Sequence, residues 1–124
     1  MDTTPKVVEH LQPNEIFVFG SNAGGLHGGG AARVAHERFG ALWGEGHGHY
    51  GQTYAIDTMG GLDVLATEAS TFSTYAAAHP ELRFLLTPVG CGIAGYTPEE
   101  VAPLFAGLPD NVSVPASFAP YLRS

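Results

Sequence analysis

Positive charge is scarce in this chain. Five Lys and Arg residues stand against twelve Asp and Glu, a formal net charge of −7 over 124 residues. Gripping nucleic acid by its phosphates takes clustered positive charge, so non-specific nucleic-acid binding is excluded. Cysteine occurs once, at Cys91. An intramolecular disulfide is therefore impossible, which fits a reducing compartment, and a cytoplasmic location is expected. No apolar run approaches the roughly 20 residues of a membrane span, so no membrane partner is expected. The first residues, Met1-Asp2-Thr3-Thr4-Pro5-Lys6, lack the basic-then-apolar pattern of a secretory signal. No G-x-x-x-x-G-K-S/T segment exists, which excludes a P-loop. Charged residues make up only 14%, but 44% are hydrophobic, which argues against disorder. Length and composition together suit one domain, residues 1–124, with a buried core.

Glycine, by contrast, is abundant at 17 residues. The densest stretch follows the apolar run Phe17-Val18-Phe19-Gly20. Ser21-Asn22-Ala23 leads into Gly24, Gly25, Gly28, Gly29 and Gly30, with Leu26 and His27 between, and Ala31-Ala32 follow. This reads as a strand, a bare-backbone loop and a helix start. Glycine lets main-chain N–H groups approach a ligand where a Cβ would obstruct, and a helix N-terminus adds unpaired donors. The combination suggests a diphosphate cradle. The competing reading is a mobile glycine linker, which the regular-looking flanks argue against. An acidic chain that binds a phosphate ester needs such neutral donors.

In chain order, residues 1–14 are a polar lead-in whose Val7-Val8 pair suits an edge strand. Glu15 to Ser21 reads as a buried strand. Ala31 to Phe39 reads as a helix with Ala31, Val34, Ala35 and Phe39 on one face, ended by Gly40. Residues 41–52 are glycine-punctuated and read as a surface loop or lid. Thr53 to Thr58 is a second core strand. Asp63 is placed to cap a helix running to about His79, with Leu65, Ala69, Phe72 and Ala76 buried and Pro80 as its stop. Leu82 to Val89 is a third strand, and Gly90 to Tyr96 a second glycine loop. Thr97-Pro98-Glu99-Glu100 is a capping box with Pro at N1. The helix it starts carries Val101, Leu104, Phe105 and Leu108, and Pro103 must kink or shorten it. Asn111 to Ser117 is a last strand, where Pro115 suggests an edge or an irregular end. This alternation predicts a three-layer α/β/α domain, with a mostly parallel or mixed sheet and helices on both faces. Ligands of such sheets sit beyond the C-terminal strand ends. Both glycine loops follow strands directly, so both should share that rim.

Gly90-Cys91-Gly92-Ile93-Ala94-Gly95 matches the dinucleotide pattern G-x-G-x-x-G. Its acidic partner, about 20 positions on, would be Asp110, which stands before the next strand rather than at its end. Too few residues follow Gly95 for the rest of a Rossmann sheet. The second match, Gly46 to Gly51, leads into a strand and is rejected.

Taken together, the two loops resemble the macrodomain superfamily, which binds ADP-ribose. Gly92-Ile93-Ala94-Gly95-Tyr96, after Leu85-Leu86-Thr87-Pro88-Val89, looks like that superfamily's second phosphate loop. Pro88 to Ile93 is also close to the terminal ADP-ribose glycohydrolase branch. Asn22 and Gly28-Gly29-Gly30 look like the first loop, where an Asn contacts the distal ribose. The resemblance covers roughly residues 15–108. It implies that Gly28, Gly29, Gly30 and Ala31 hold a diphosphate together with Gly90, Cys91, Gly92, Ile93, Ala94, Gly95 and Tyr96. It further implies an aromatic near the chain end, Phe118 or Tyr121, stacking on adenine; a hydrophobic plug over the core is the equal alternative. The expected partner is ADP-ribose or an ADP-ribosylated macromolecule. No cofactor is expected, and no oligomeric state follows.

Two departures bear on catalysis. Ala32 stands where the mono-ADP-ribosyl hydrolase branch has an Asp. Ala94 stands where that branch has an aromatic and the glycohydrolase branch a catalytic Asp. Hydrolysis would need a non-family catalytic set, drawn from His27, Glu45, His47, His49 and Asp57. His27 could serve as a general base, but a hydrogen bond donated to phosphate or to the loop backbone is the favoured reading. Glu45-x-His47-x-His49 lacks the fixed partners of common metal sites, and no metal is expected. Cys91 reads as structural. Trp43 and Tyr50 are alternative linings of the lid. A binder of ADP-ribose, a hydrolase of its glycosidic bond and a Rossmann-like protein therefore stay open, as does a small interaction protein whose glycines only shape turns.

Overall fold

A computed structural model describes residues 2–22, 24, 30–92 and 94–122. Its centre is strand β2, Glu15–Ser21, whose apolar side chains alternate between two hydrophobic clusters. Ile16 and Val18 enter one cluster and Phe17 and Phe19 the other, as the two-residue period of a strand dictates. β2 lies between β4 (Thr53–Asp57) and β5 (Arg83–Leu86) and runs parallel to both. β6 (Val112–Pro115) adds beyond β5, and β1 (Thr3–Thr4) beyond β6, both parallel. β3 (Gly48–Tyr50) closes the other edge, antiparallel to β4. The order is β1-β6-β5-β2-β4-β3.

One face carries α1, Gly30–Val34, which widens into a π-helical turn over Ala35–Phe39. The expected helix thus has the expected extent but not uniform winding. Gly40 ends it in the left-handed region, at φ 90°, with its N–H donating to the Ala35 carbonyl. Ala32 and Ala35 form its buried contact with Phe17, Phe19 and Ala55. Val34, expected on that face, is only half-buried and lines a cavity instead.

The other face carries α2, Leu62–Ala78, which buries Leu65, Ala69, Phe72 and Ala76 as the spacing predicts. Asp63 lies inside its first turn and does not cap it; Gly61 holds the cap position. Asn111 closes the far end, its amide donating to the carbonyls of Ala76, His79 and Leu82 at 3.0 Å each. α3, Pro98–Val101, starts with the expected capping box between Thr97 and Glu100. Pro103 then tightens the chain into a 3-10 turn, Ala102–Phe105. Helices thus cover both faces of a mostly parallel sheet, the three-layer arrangement expected.

Three boundaries depart from expectation. Val7 is 71% exposed and forms no strand; the edge strand is Thr3–Thr4. β6 is consequently interior and fully buried, and Pro115 ends it rather than marking an edge. β5 stops at Leu86, where Thr87 donates both its N–H and its hydroxyl to the Val18 carbonyl and Pro88 has no N–H to continue the ladder. No helix among the described residues is long and apolar enough to cross a membrane.

Candidate functional site

β2 and β5 are parallel neighbours, so their C-terminal ends deliver Ser21 and Leu86 to one rim. Asn22 and Gly24 leave β2 there, and the chain is described again from Gly30. Thr87-Pro88-Val89-Gly90 leaves β5 beside it. The end of β2 lies close to that turn: a Cβ on Gly20 would stand 3.6 Å from the Gly90 nitrogen.

A cleft of about 680 Å³ opens between them. Gly20, Ser21, Asn22, Gly30, Ala31 and Ala32 form one side, and Thr87 to Gly90, Gly92 and Ala94 the other. Trp43, Thr58 and Met59 complete it. No charged side chain lines it among the described residues, so an anion here would meet main-chain donors. The second loop's internal turns use the N–H groups of Val89, Cys91, Gly95 and Tyr96. Those of Gly90, Gly92 and Ala94 have no partner among the described residues.

A second cavity, about 810 Å³, adjoins it. Residues 3–8 form one wall, Phe17 and Val34 another, and Pro115-Ala116-Ser117 a third. Ala31, Thr87 and Pro88 line both cavities, which makes them one groove along the rim. The walls are mainly apolar. Lys6 is their one charged residue among those described, and the buried Thr4 hydroxyl makes no hydrogen bond.

Of the residues expected to bind ligand, Asn22, Gly30, Ala31, Gly90, Gly92 and Ala94 line the first cleft. His27, Gly28, Gly29 and Ile93 lie outside the described residues. Cys91 packs against the α2-side core, where burial and then the Glu100 charge push its thiol above the ordinary range. That favours the structural reading over a nucleophile. Gly95 serves the loop's own turn, and Tyr96 packs on the core with its N–H on the Gly90 carbonyl. The adenine-stacking role expected of Phe118 is corrected: Phe118 is 0% exposed and packs 6.2 Å, centroid to centroid, from Phe105. It is the plug over the core.

The remaining polar candidates do not converge. Glu45 accepts from the Tyr50 hydroxyl at 3.1 Å, which raises the Tyr50 pKa. His47 meets Glu68 Oε1 at 2.8 Å, and that same oxygen accepts the Asp57 N–H. His49 is held between the Tyr75 hydroxyl at 2.5 Å and the Gly51 carbonyl at 2.9 Å. Asp57 is buried and accepts from the Met59 N–H at 2.9 Å. None of these four lines the cleft. Among the described residues no three His, Cys, Asp or Glu side chains form a group fit for a metal. Residues 48–50 of the expected loop form β3 rather than a lid.

Sequence reasoning missed Thr58 and Met59. The signal was available, because they follow β4 and its C-terminal end shares the rim. It also missed the second cavity, whose walls come from opposite ends of the chain.

Comparison with protein-family models, with curated proteins and with solved structures gives no match.

Proposed function

We propose that this chain is a macrodomain-like module that binds ADP-ribose, free or attached to a macromolecule, in the rim groove. One observation carries the reading. Two glycine-bearing segments far apart in sequence, around Gly30 and around Gly92, line a single cleft that has no charged side chain among the described residues. A diphosphate is a ligand that such a cleft suits, because bare backbone brings N–H donors to its oxygens without a competing side chain. The adjoining apolar cavity suits the adenosine end. Asn22 lines the first cleft and not the adjoining cavity, and its amide suits the hydroxyls of the distal ribose.

Binding rather than turnover is what the described residues support. Glu45, His47, His49 and Asp57 are engaged elsewhere, and Ala32 and Ala94 bring only methyl groups to the cleft. A dinucleotide reading gains nothing from the geometry. β6 runs parallel to β5, so Asp110, just before it, stands at the rim opposite the glycine loop.

Titration calorimetry with ADP-ribose tests the proposal. Saturable heat, competed by AMP, is expected; no heat and no competition at millimolar ligand would remove it. Release of ADP-ribose from a modified protein, lost in His27→Ala with binding retained, would move the assignment from binder to hydrolase.

A further inference from the structure

The second cavity holds two polar groups that nothing else in the chain satisfies. Thr4 lines it at 5% exposure, and its hydroxyl makes no hydrogen bond. Such a group costs the fold free energy until something partners it. Lys6, two residues on, lines the same cavity and makes no ion pair or hydrogen bond among the described residues. Arg33 and Arg83, by contrast, are paired with Glu37 and Asp2. No Asp or Glu among the described residues lines this cavity, although acids outnumber Lys and Arg by twelve to five in the chain.

The topology brings these groups together. β1, β6, β5 and β2 are all parallel, so all four end at one rim. Thr4 stands beside Pro115. The segments that leave β1 and β6, Pro5-Lys6 and Ala116-Ser117, therefore wall the same end of the groove. Ser117 adds a further hydroxyl with no partner among the described residues. Thr4, Lys6 and Ser117 line the second cavity and not the first, and the two cavities join at Ala31, Thr87 and Pro88. A diphosphate held in the first cleft leaves these three side chains unused. An ammonium and two hydroxyls, with no carboxylate among them, suit an oxyanion.

We propose that this end of the groove binds a phosphomonoester on the adenosine sugar, at its 2′ or 3′ oxygen, and so makes the protein prefer adenosine ligands phosphorylated there. Lys6 supplies the charge, and Thr4 and Ser117 donate hydroxyl hydrogen bonds. This rests on the ADP-ribose reading above and adds a second anion site to it.

The experiment titrates wild type, Lys6→Gln and Thr4→Val by calorimetry with ADP-ribose, AMP, adenosine 2′,5′-bisphosphate and adenosine 3′,5′-bisphosphate. One bisphosphate should bind wild type at least about tenfold more tightly than AMP, the low end for a hydrogen bond to a charged group. Which isomer does so identifies the oxygen that carries the phosphate. That preference should shrink between ~0.05 and ~0.5 M salt. Lys6→Gln should bring the two affinities within about twofold of each other. Thr4→Val should also reduce the preference, yet melt no earlier than wild type without ligand, because it removes an unpartnered buried hydroxyl. If ADP-ribose gives heat but both bisphosphates bind like AMP, the phosphate site is refuted and the groove assignment stands. A preference that survives either substitution whole refutes the site as well. No heat from any of the four ligands removes the groove assignment, and this inference with it.

Discussion

One added methyl group, placed at Gly92 or at Gly90, separates what the second loop does for a ligand from what it does for the fold. At Gly92 the backbone lies outside the left-handed region, and a Cβ there would have nothing within 4 Å. Gly92→Ala should therefore keep stability within about 0.5 kcal/mol of wild type. Its methyl would, however, occupy the wall of the cleft. If that keeps one phosphate oxygen from a main-chain N–H, the lost charge-assisted hydrogen bond is worth about 1.5–3 kcal/mol, or roughly 10- to 150-fold in Kd. Gly90 is the reverse case. Its φ is +79°, and a Cβ would stand 3.3 Å from Leu65 Cδ2 and from Val101 Cγ2. The left-handed backbone costs an alanine about 1–2 kcal/mol. The crowding adds less, because both neighbours are side-chain ends. Gly90→Ala should then lower the melting temperature by roughly 4–10 °C for a chain this size. Thermal melts and ADP-ribose calorimetry on the two variants give four numbers. A Gly92→Ala protein that binds like wild type, or one that melts as early as Gly90→Ala, would refute the reasoning.

Four further outcomes follow from the same geometry. Phe118→Leu should cost about 1 kcal/mol of stability and leave ADP-ribose affinity unchanged; lost affinity at retained stability would restore a stacking role. Tyr54 is held up to about 12 from 10.0, first by burial and then by the Glu68 charge. Its neutral phenol therefore favours the fold, with that contribution intact below about pH 10 and lost as pH rises toward 12. Urea unfolding across this window should show a fall of up to about 2–3 kcal/mol from this group, and a Tyr54→Phe protein with the same fall would overturn the assignment. The Cys91 thiol, raised by burial and by Glu100, should alkylate with a midpoint above 9.0, lowered by Glu100→Gln; rapid alkylation at neutral pH would contradict it. Because the chain is acidic and no charged side chain among the described residues lines the cleft, ADP-ribose affinity should hold or rise between ~0.05 and ~0.5 M salt, whereas a steep loss would point to a Lys or Arg contact.

The parts of this fold that were legible in the sequence are those set by local pattern. Phe17-Val18-Phe19, the Leu65-Ala69-Phe72-Ala76 face and the Thr97-Glu100 box each carry their signal within one element. Placing the end of β2 and the second glycine loop on one rim needed only the parallel alternation of strands and helices. What escaped depends on partners distant along the chain. Gly48-His49-Tyr50 has no strand period and becomes β3 only by pairing with Tyr54 and its neighbours. Thr3 and Thr4 become a strand because Val114 and Pro115 lie alongside. The direction in which Phe118 points follows from where Phe105 sits, and no spacing rule supplies that.

The sheet's margins have a consequence for how the protein behaves at high concentration. Its outermost strands span two residues on one side and three on the other. Such stubs offer too few open amide and carbonyl groups to recruit a neighbouring molecule's strand. The aggregation-prone segments, Ile16–Phe19 and Phe84–Leu86, are sealed in the interior. Clumping should therefore track the unfolded fraction rather than the native concentration, and a ligand that raises the melting point should also keep the solution clear.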